Sequence, residues 1–140
     1  MGRIVIRIPP NRQWGFSMKL SDEEFEEVVE DAIQSIPEGF CRYLQDIVVD
    51  IEDLPDAATC EELNLRDPRS LLGLYRGVPL TRRHVEAPYQ FPERIVIYQE
   101  NIERVCRSKT QMIDQIRRTV LHEVGHHFGL NEQQLRELGF

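Results

Sequence analysis

Near the C-terminal end the chain reads His122-Glu123-Val124-Gly125-His126. Histidines four apart on a helix project from one face, a single turn apart. Two imidazole nitrogens so placed can meet one zinc ion at about 2.0–2.1 Å. The glutamate after the first histidine points to the side of that face, within reach of a metal-bound water without being a ligand.

The phase of the helix supports this use. With His122 at zero and ~100° per residue, His126 falls at ~40°, Gln115 at ~20°, Thr119 at ~60° and Glu123 at ~100°. The apolar Ile113, Val120 and Val124 fall at ~160–200°, and Leu121 and Phe128 at ~240–260°. One side of the helix is therefore expected to pack on a sheet while the histidine side, which is polar, lines a cleft. His127 falls at ~140°, too far round to share a metal with the pair, and reads as a packed or hydrogen-bonded histidine supporting the site. His84 reads as a surface residue in a loop.

A catalytic zinc needs a third protein ligand. The chain continues Phe128-Gly129-Leu130-Asn131-Glu132. Gly129 suits the left-handed residue that ends a helix, and a turn there swings Glu132 back toward the metal. The competing reading is local: Asn131 caps a last helix with Gln134 at its third position, and an acid at the first position suits the helix dipole. A water, Asp114 or Glu137 are the other candidates for the third position.

Several elements must position these residues. Ile4, Ile6 and Ile8 alternate with Arg3, Val5 and Arg7, which predicts a short strand ended by Pro9 and Pro10. Ser21 with Glu24 is a capping-box pattern opening a helix, followed by Phe25, Val28, Val29, Ala32, Ile33 and Ile36 at helical spacing. Pro37 and Gly39 stop it. Ile47 to Ile51 predicts a buried strand, residues 52–70 a polar loop, Leu71 to Tyr75 a second strand, residues 81–92 a further loop, and Ile95 to Tyr98 a core strand. The histidine helix is expected from about Lys109 to Phe128 and a short last helix from Glu132 to Leu138. Helices at both ends with strands between predict an α+β fold with one small sheet.

The totals narrow the function. The 140 residues, 41% hydrophobic and 29% charged, suit one globular domain. A net charge of −7 lacks the basic footprint a nucleic-acid binder uses. No apolar run approaches the ~20 residues that span a bilayer, so no membrane partner is expected. Arg3 and Arg7 break any signal-peptide core, and three cysteines without a CxxC pair read as reduced thiols of a cytoplasmic protein.

With these residues in view, the chain resembles the minimal zincin family, small bacterial proteins with a metzincin-like core and an ascribed zinc peptidase activity. The resemblance runs from about Ser21 to the C-terminus. It rests on the stretches Ser21 to Glu26, Leu72 to Leu80, Pro92 to Tyr98 and His122 to Leu130, and on the HExxHxxGxxE spacing that ends at Glu132. It implies a minimal zincin-like α+β fold, with a small mixed β-sheet against the active-site helix, an N-terminal helix and a short C-terminal helix. Residues 21–140 then form a single zincin-like domain, and residues 1–20 an N-terminal extension with at most one strand. The resemblance further implies His122 and His126 as zinc ligands and Glu123 as the catalytic acid/base. Where the family carries aspartate as third ligand this chain has Glu132. No Met-turn follows the histidines.

The activity so implied is hydrolysis of a peptide or protein substrate through a zinc-bound water, with Glu123 as general base. Tyr75, Arg76 and Tyr98 are candidate partners for the scissile carbonyl. Two other classes stay open: a non-catalytic zinc-binding domain in which the metal ties the last helices together, and a protein-interaction domain docking through the acidic helix Asp22 to Ile36.

Overall fold

Ser21 opens the first helix through the reciprocal bonds its sequence predicts. Its Oγ accepts the Glu24 backbone N–H at 3.2 Å, and Glu24 Oε1 accepts the Ser21 N–H at 3.2 Å. Helix α1 then runs Asp22–Gln34 and buries Phe25, Val28, Val29 and Ala32 along one stripe. Beyond it Ile36 is buried too, and Pro37 precedes a one-turn helix α2, Glu38–Cys41, which adds Phe40 to the core. The computed structural model describes residues 2–7, 18–42, 44–77 and 93–137, with the backbone alone for 2–7, 122, 123, 126 and 127.

Four strands form one mixed sheet: β1 (Gly2–Arg7), β2 (Ile47–Glu52), β3 (Leu71–Gly77) and β4 (Glu93–Tyr98), in the order β1-β3-β4-β2. The β1–β3 and β3–β4 pairs are antiparallel, and β2–β4 is parallel. Between the pairs Ile6–Gly73 and Arg7–Leu71, β3 carries an extra residue, Leu72, opposite none on β1. This bulge flips the alternation, so Leu72 and Tyr75 face one side of the sheet, and Leu71 and Leu74 the other.

The sheet is covered on both faces. The main core joins Leu72, Tyr75, Ile95 and Ile97 to α1 and to the long helix α5 (Lys109–His127). A smaller core on the opposite face gathers Leu71, Leu74, Val96 and Tyr98 against Leu63 of helix α3 (Ala57–Leu63). Because β4 is buried on both faces, it reads as an unbroken apolar run rather than an alternating one.

The α+β class and the small mixed sheet are as expected, but three features differ. The predicted buried strand β2 lies at an edge, with Val48 43% exposed, since Ile47, Val49 and Ile51 are only partly buried on one side. The segment 52–70, predicted as loop, holds α3 and a 3-10 turn at Pro68–Ser70. Asp56 caps α3 by accepting the Thr59 N–H at 2.7 Å, and Asn64 ends it in the left-handed conformation at φ 56°. Helix α4 (Gln99–Val105) follows β4 directly and was not marked by any apolar period. Its buried side is largely polar: Asn101 Nδ2 donates to the carbonyls of Pro68 at 2.9 Å and Leu71 at 2.6 Å. On the same helix Glu103 accepts the Leu20 N–H at 2.6 Å. The predicted loop 81–92, with His84, lies outside the described residues.

The three cysteines are free, Cys106 in the core and Cys41 at the surface. Among the described residues no helix is long and apolar enough to cross a membrane.

Capping makes this fold acid-sensitive. The Ser21 N–H, and after it Lys109, hold the Glu24 carboxyl below its ordinary 4.5, and the Thr59 N–H holds Asp56 below 3.8. A carboxylate with a depressed folded pKa stabilises above its unfolded pKa and loses that contribution as pH falls through the folded value. Denaturant unfolding should therefore show stability falling below about pH 4.5. Ser21→Ala should cost ~1 kcal/mol at neutral pH, and Glu24→Gln, which removes the titrating carboxyl, should flatten that acid limb; an unchanged limb in Glu24→Gln would remove the cap as its source.

Candidate metal centre

Helix α5 starts with Ser108 Oγ accepting the Gln111 N–H at 3.1 Å and runs without a break through position 127. Positions 122 and 126 are therefore one turn apart on continuous helical backbone. The side chains of His122, Glu123, His126 and His127 lie outside the described residues.

The surroundings of that turn are described. Met112, Ile116, Val120 and Leu121 are each 0% exposed and Val124 1%. On the phase scale Met112 and Ile116 fall at ~80° and ~120°, and the buried Gly125 at ~300°. The buried arc is thus wider than the ~160–260° expected from Ile113, Val120, Val124, Leu121 and Phe128. The reason is tertiary: α1, α4, β1 and the last helix all lie against α5. The polar side is also less open than its residue types suggest. Thr119 is 9% exposed, its Oγ1 donating to the Gln115 carbonyl at 2.6 Å and accepting from Gln115 Nε2 at 2.8 Å.

Two glycines set the path of the chain at and beyond the end of α5. Gly129 takes φ 85°, a left-handed conformation that costs a side-chain-bearing residue energy. The Leu130 N–H then reaches back to the Gly125 carbonyl at 2.9 Å, the six-to-one bond of a Schellman turn. Helix α6 (Glu132–Glu137) folds back so that Leu135 sits over Gly125. A Cβ added at Gly125 would lie 2.5 Å from Leu135 Cδ2 and 3.4 Å from Phe40 Cζ. Sequence reasoning missed this glycine, although it stands inside the histidine motif; a glycine in a helix interior, at a cost of about 1 kcal/mol, was its signal.

Glu132 stands exposed as the first residue of α6. The local capping pattern is present beside it: Asn131 Oδ1 accepts the Gln134 N–H at 2.8 Å, and Gln134 Oε1 accepts the Asn131 N–H at 2.9 Å. The turn therefore puts Glu132 on the short helix that packs against the motif's own turn. Asp114, a rival third ligand, is engaged by Arg117 at 2.7 Å and Arg118 at 3.0 Å, and Glu137 accepts from Gln133 at 3.5 Å. Among the described residues, no three of His, Cys, Asp and Glu are grouped to hold a metal.

The candidate carbonyl partners have structural roles. Tyr75 is 0% exposed in the main core. Tyr98 packs in the opposite-face core, its phenol pushed up to about 12 by burial, with Glu52 adding to the shift. Arg76 pairs with Glu62 through two contacts, at 2.9 and 3.4 Å. The residue types at these positions, two histidines one turn apart along the backbone and a glutamate on the helix folded against that turn, are ones that bind zinc.

The glycines give a direct test of this packing. Gly125→Ala must displace the fully buried Leu135, a cost of ~1–3 kcal/mol against ~1 kcal/mol of gained helix propensity. Gly129→Ala should cost about 1 kcal/mol from backbone strain alone. Combining Gly125→Ala with Leu135→Ala should lose less in thermal unfolding than the two single losses added together, because the colliding atom is gone. Additive losses would show that the two positions do not touch.

The chain matches a family model described as zincin-like metallopeptidase over residues 44–140. Among solved structures it is similar to a conserved hypothetical protein from T. thermophilus. The two are 26% identical with a TM-score of 0.49, over 77% of this chain and 94% of the other. A comparison with curated proteins finds no match. The family match starts later than the resemblance drawn from Ser21, and it includes β2 to β4 and the whole of α5 and α6. On that match, which contains every residue of the candidate metal centre, the chain belongs to the zincin-like metallopeptidase family.

Proposed function

We propose that the protein is a zinc-dependent metallopeptidase that hydrolyses peptide bonds with Glu123 as general base. The observation that carries this reading is the His122-Glu123-Val124-Gly125-His126 turn on unbroken helix, inside the segment matched to the family. His122 and His126 would hold the metal, with Glu132 as the third ligand. When bound, zinc supplies a Lewis acid and brings the pKa of water to ~7.

The protein's own part is proton handling and positioning. A Glu123 carboxylate oxygen takes a proton from the attacking water and passes it to the nitrogen of the leaving amine. Glu123 has no role in a purely structural metal site, which needs ligands alone, and this favours catalysis over a metal that only ties helices together. Family membership by itself assigns no activity; the motif is what supports this reading.

Three measurements test this. Glu123→Gln should retain zinc by elemental analysis and lose ~10²-fold or more of peptide hydrolysis, whereas His122→Ala and His126→Ala should lose the metal. Activity surviving in Glu123→Gln would remove that residue from the mechanism. Glu132→Ala should weaken metal binding while the fold persists. Metal content should also fall as pH drops through the imidazole range near ~6.5, since histidine binds metal only when neutral. Flat content down to about pH 4 would count against histidine ligation.

A further inference from the structure

The sheet face that carries the main core is covered unevenly. Helix α5 lies along β1, and α1 lies against α5. Beyond α1 the face continues onto β2, where Ile47, Val49 and Ile51 are only partly buried. A groove opens there, a hollow of about 520 Å³ bounded by Val29 and Ile33 of α1 and by Val49 and Ile51 of β2. A second hollow of about 260 Å³ shares Glu26 and Ile51 with the first and carries the groove on toward Asp22 and Asp53. From Asp22 to Ile33 its helical wall is roughly 17 Å long, at ~1.5 Å per residue.

The charge along this groove has one sign. At ~100° per residue from Asp22, Glu26 falls at ~40° and Glu30 at ~80°, beside Ile33 at ~20° and Val29 at ~340°. Among the described residues no lysine, arginine or histidine lines either hollow. Asp50 is paired with Arg94, whereas Asp22, Glu26, Glu52 and Asp53 have no ion pair among the described residues. Half-covered apolar side chains between unpaired carboxylates suit a partner that is apolar on one side and cationic around it.

We propose that this groove docks a partner protein through an amphipathic helix whose apolar face is rimmed by lysine and arginine. The layer on this face is already built of helices, α5 and then α1, and a third beside α1 would cover Ile33, Val49 and Ile51. Such a helix would seat apolar anchors at i, i+3, i+4 and i+7 between the two walls. On its other flank α1 already takes a cation, Lys109 on Glu24. An added strand suits the site less, because Asp50 and Glu52 stand on the β2 edge. A second copy of the chain suits it less still: with a net charge of −7 it would bring like charge to like. No residue of α5 lines the groove, so the proposal is independent of the peptidase reading.

The test titrates a labelled synthetic helix into the full chain without metal, at low salt. The probe is Lys-Leu-Lys-Lys-Leu-Leu-Lys-Lys-Leu-Lys-Lys-Leu-Leu-Lys, and a control of the same composition scatters its leucines round the helix. The probe should bind more tightly than the control and shift the backbone amide resonances of α1 and β2. Glu26→Lys with Glu30→Lys should weaken binding roughly tenfold or more. Glu27→Lys with Asp31→Lys makes the same change in net charge at ~140° and ~180°, away from the groove, and should weaken it less than about threefold. Ile33→Gln leaves the charge alone and should weaken it severalfold. Equal losses in the two double variants, no loss in Ile33→Gln, equal binding of the control, no binding up to millimolar probe, or resonance shifts that miss α1 and β2 would each overturn the proposal. Every one of these readouts stands apart from hydrolysis, so failure of the Glu123 test would overturn only the catalytic reading.

Discussion

Leu135 and Gly125 meet where most helices would present a side chain. The space a Cβ would occupy is taken by Leu135 Cδ2, 2.5 Å from its ideal position, with Leu130 Cδ1 at 3.5 Å. The C-terminal arrangement depends on this contact. It lets α6 lie against the last full turn of α5, and Leu135, at 0% exposure, anchors that helix. Gly129 supplies the reversal and Asn131 with Gln134 the restart. Glu132 is carried along as the first residue of the restarted helix. The HExxHxxGxxE spacing is thus a packing rule as much as a ligand rule: its glycine marks the left-handed turn, and the variable position filled by Gly125 must be small here.

The other end of α5 is held by different means. Lys109 Nζ lies 3.3 Å from Glu24 Oε2, joining the start of α5 to the start of α1, though an exposed pair of this kind contributes little. The larger constraint is the shared apolar seam of Phe25, Val28, Val29 and Ala32 with Met112, Ile116 and Val120. Beneath it, β4 separates the two cores, with Ile95 and Ile97 on one face and Val96 and Tyr98 on the other. A central strand buried on both sides fixes the sheet against which α5 is oriented.

Elements whose stability is local or strongly periodic were legible in the sequence. The α1 capping box, the α1 apolar stripe, the β4 run and the length of α5 each follow from residues close in the chain. What escaped was held by distant polar contacts. Helix α4 is fixed by Asn101 reaching the carbonyls of Pro68 and Leu71 and by Glu103 reaching Leu20, and no periodicity encodes such partners. Helix α3 buries only Leu63, too little to raise an apolar pattern above its polar composition. The edge position of β2 was illegible because an apolar run of β-branched residues reads the same at an edge as at a centre. At the candidate site the motif was plain from spacing, while the extent of burial around α5 was not: Met112 and Ile116 are covered by elements that only the topology brings together.

Among the described strands the sheet is bounded by β1 and β2, and the two sides are built differently. At β2 the outward face carries Asp50, ion-paired with Arg94, and Glu52 beside an exposed Val48. Charges on an edge strand discourage another chain from pairing with it. β3 has no such guard along Leu71, Leu72, Gly73, Leu74 and Tyr75; charge enters only at Arg76, which Glu62 engages. Left unpaired, a strand of this composition would invite strand addition and, in the extreme, aggregation. The chain covers it with a strand drawn from outside the family segment. That solution differs from charge in one respect: a strand satisfies the backbone groups of β3 by pairing with them, whereas charge only discourages a partner. In this fold the strand that completes the pairing of β3 is also the one that lies along the histidine helix, so the same strand ties the sheet to α5.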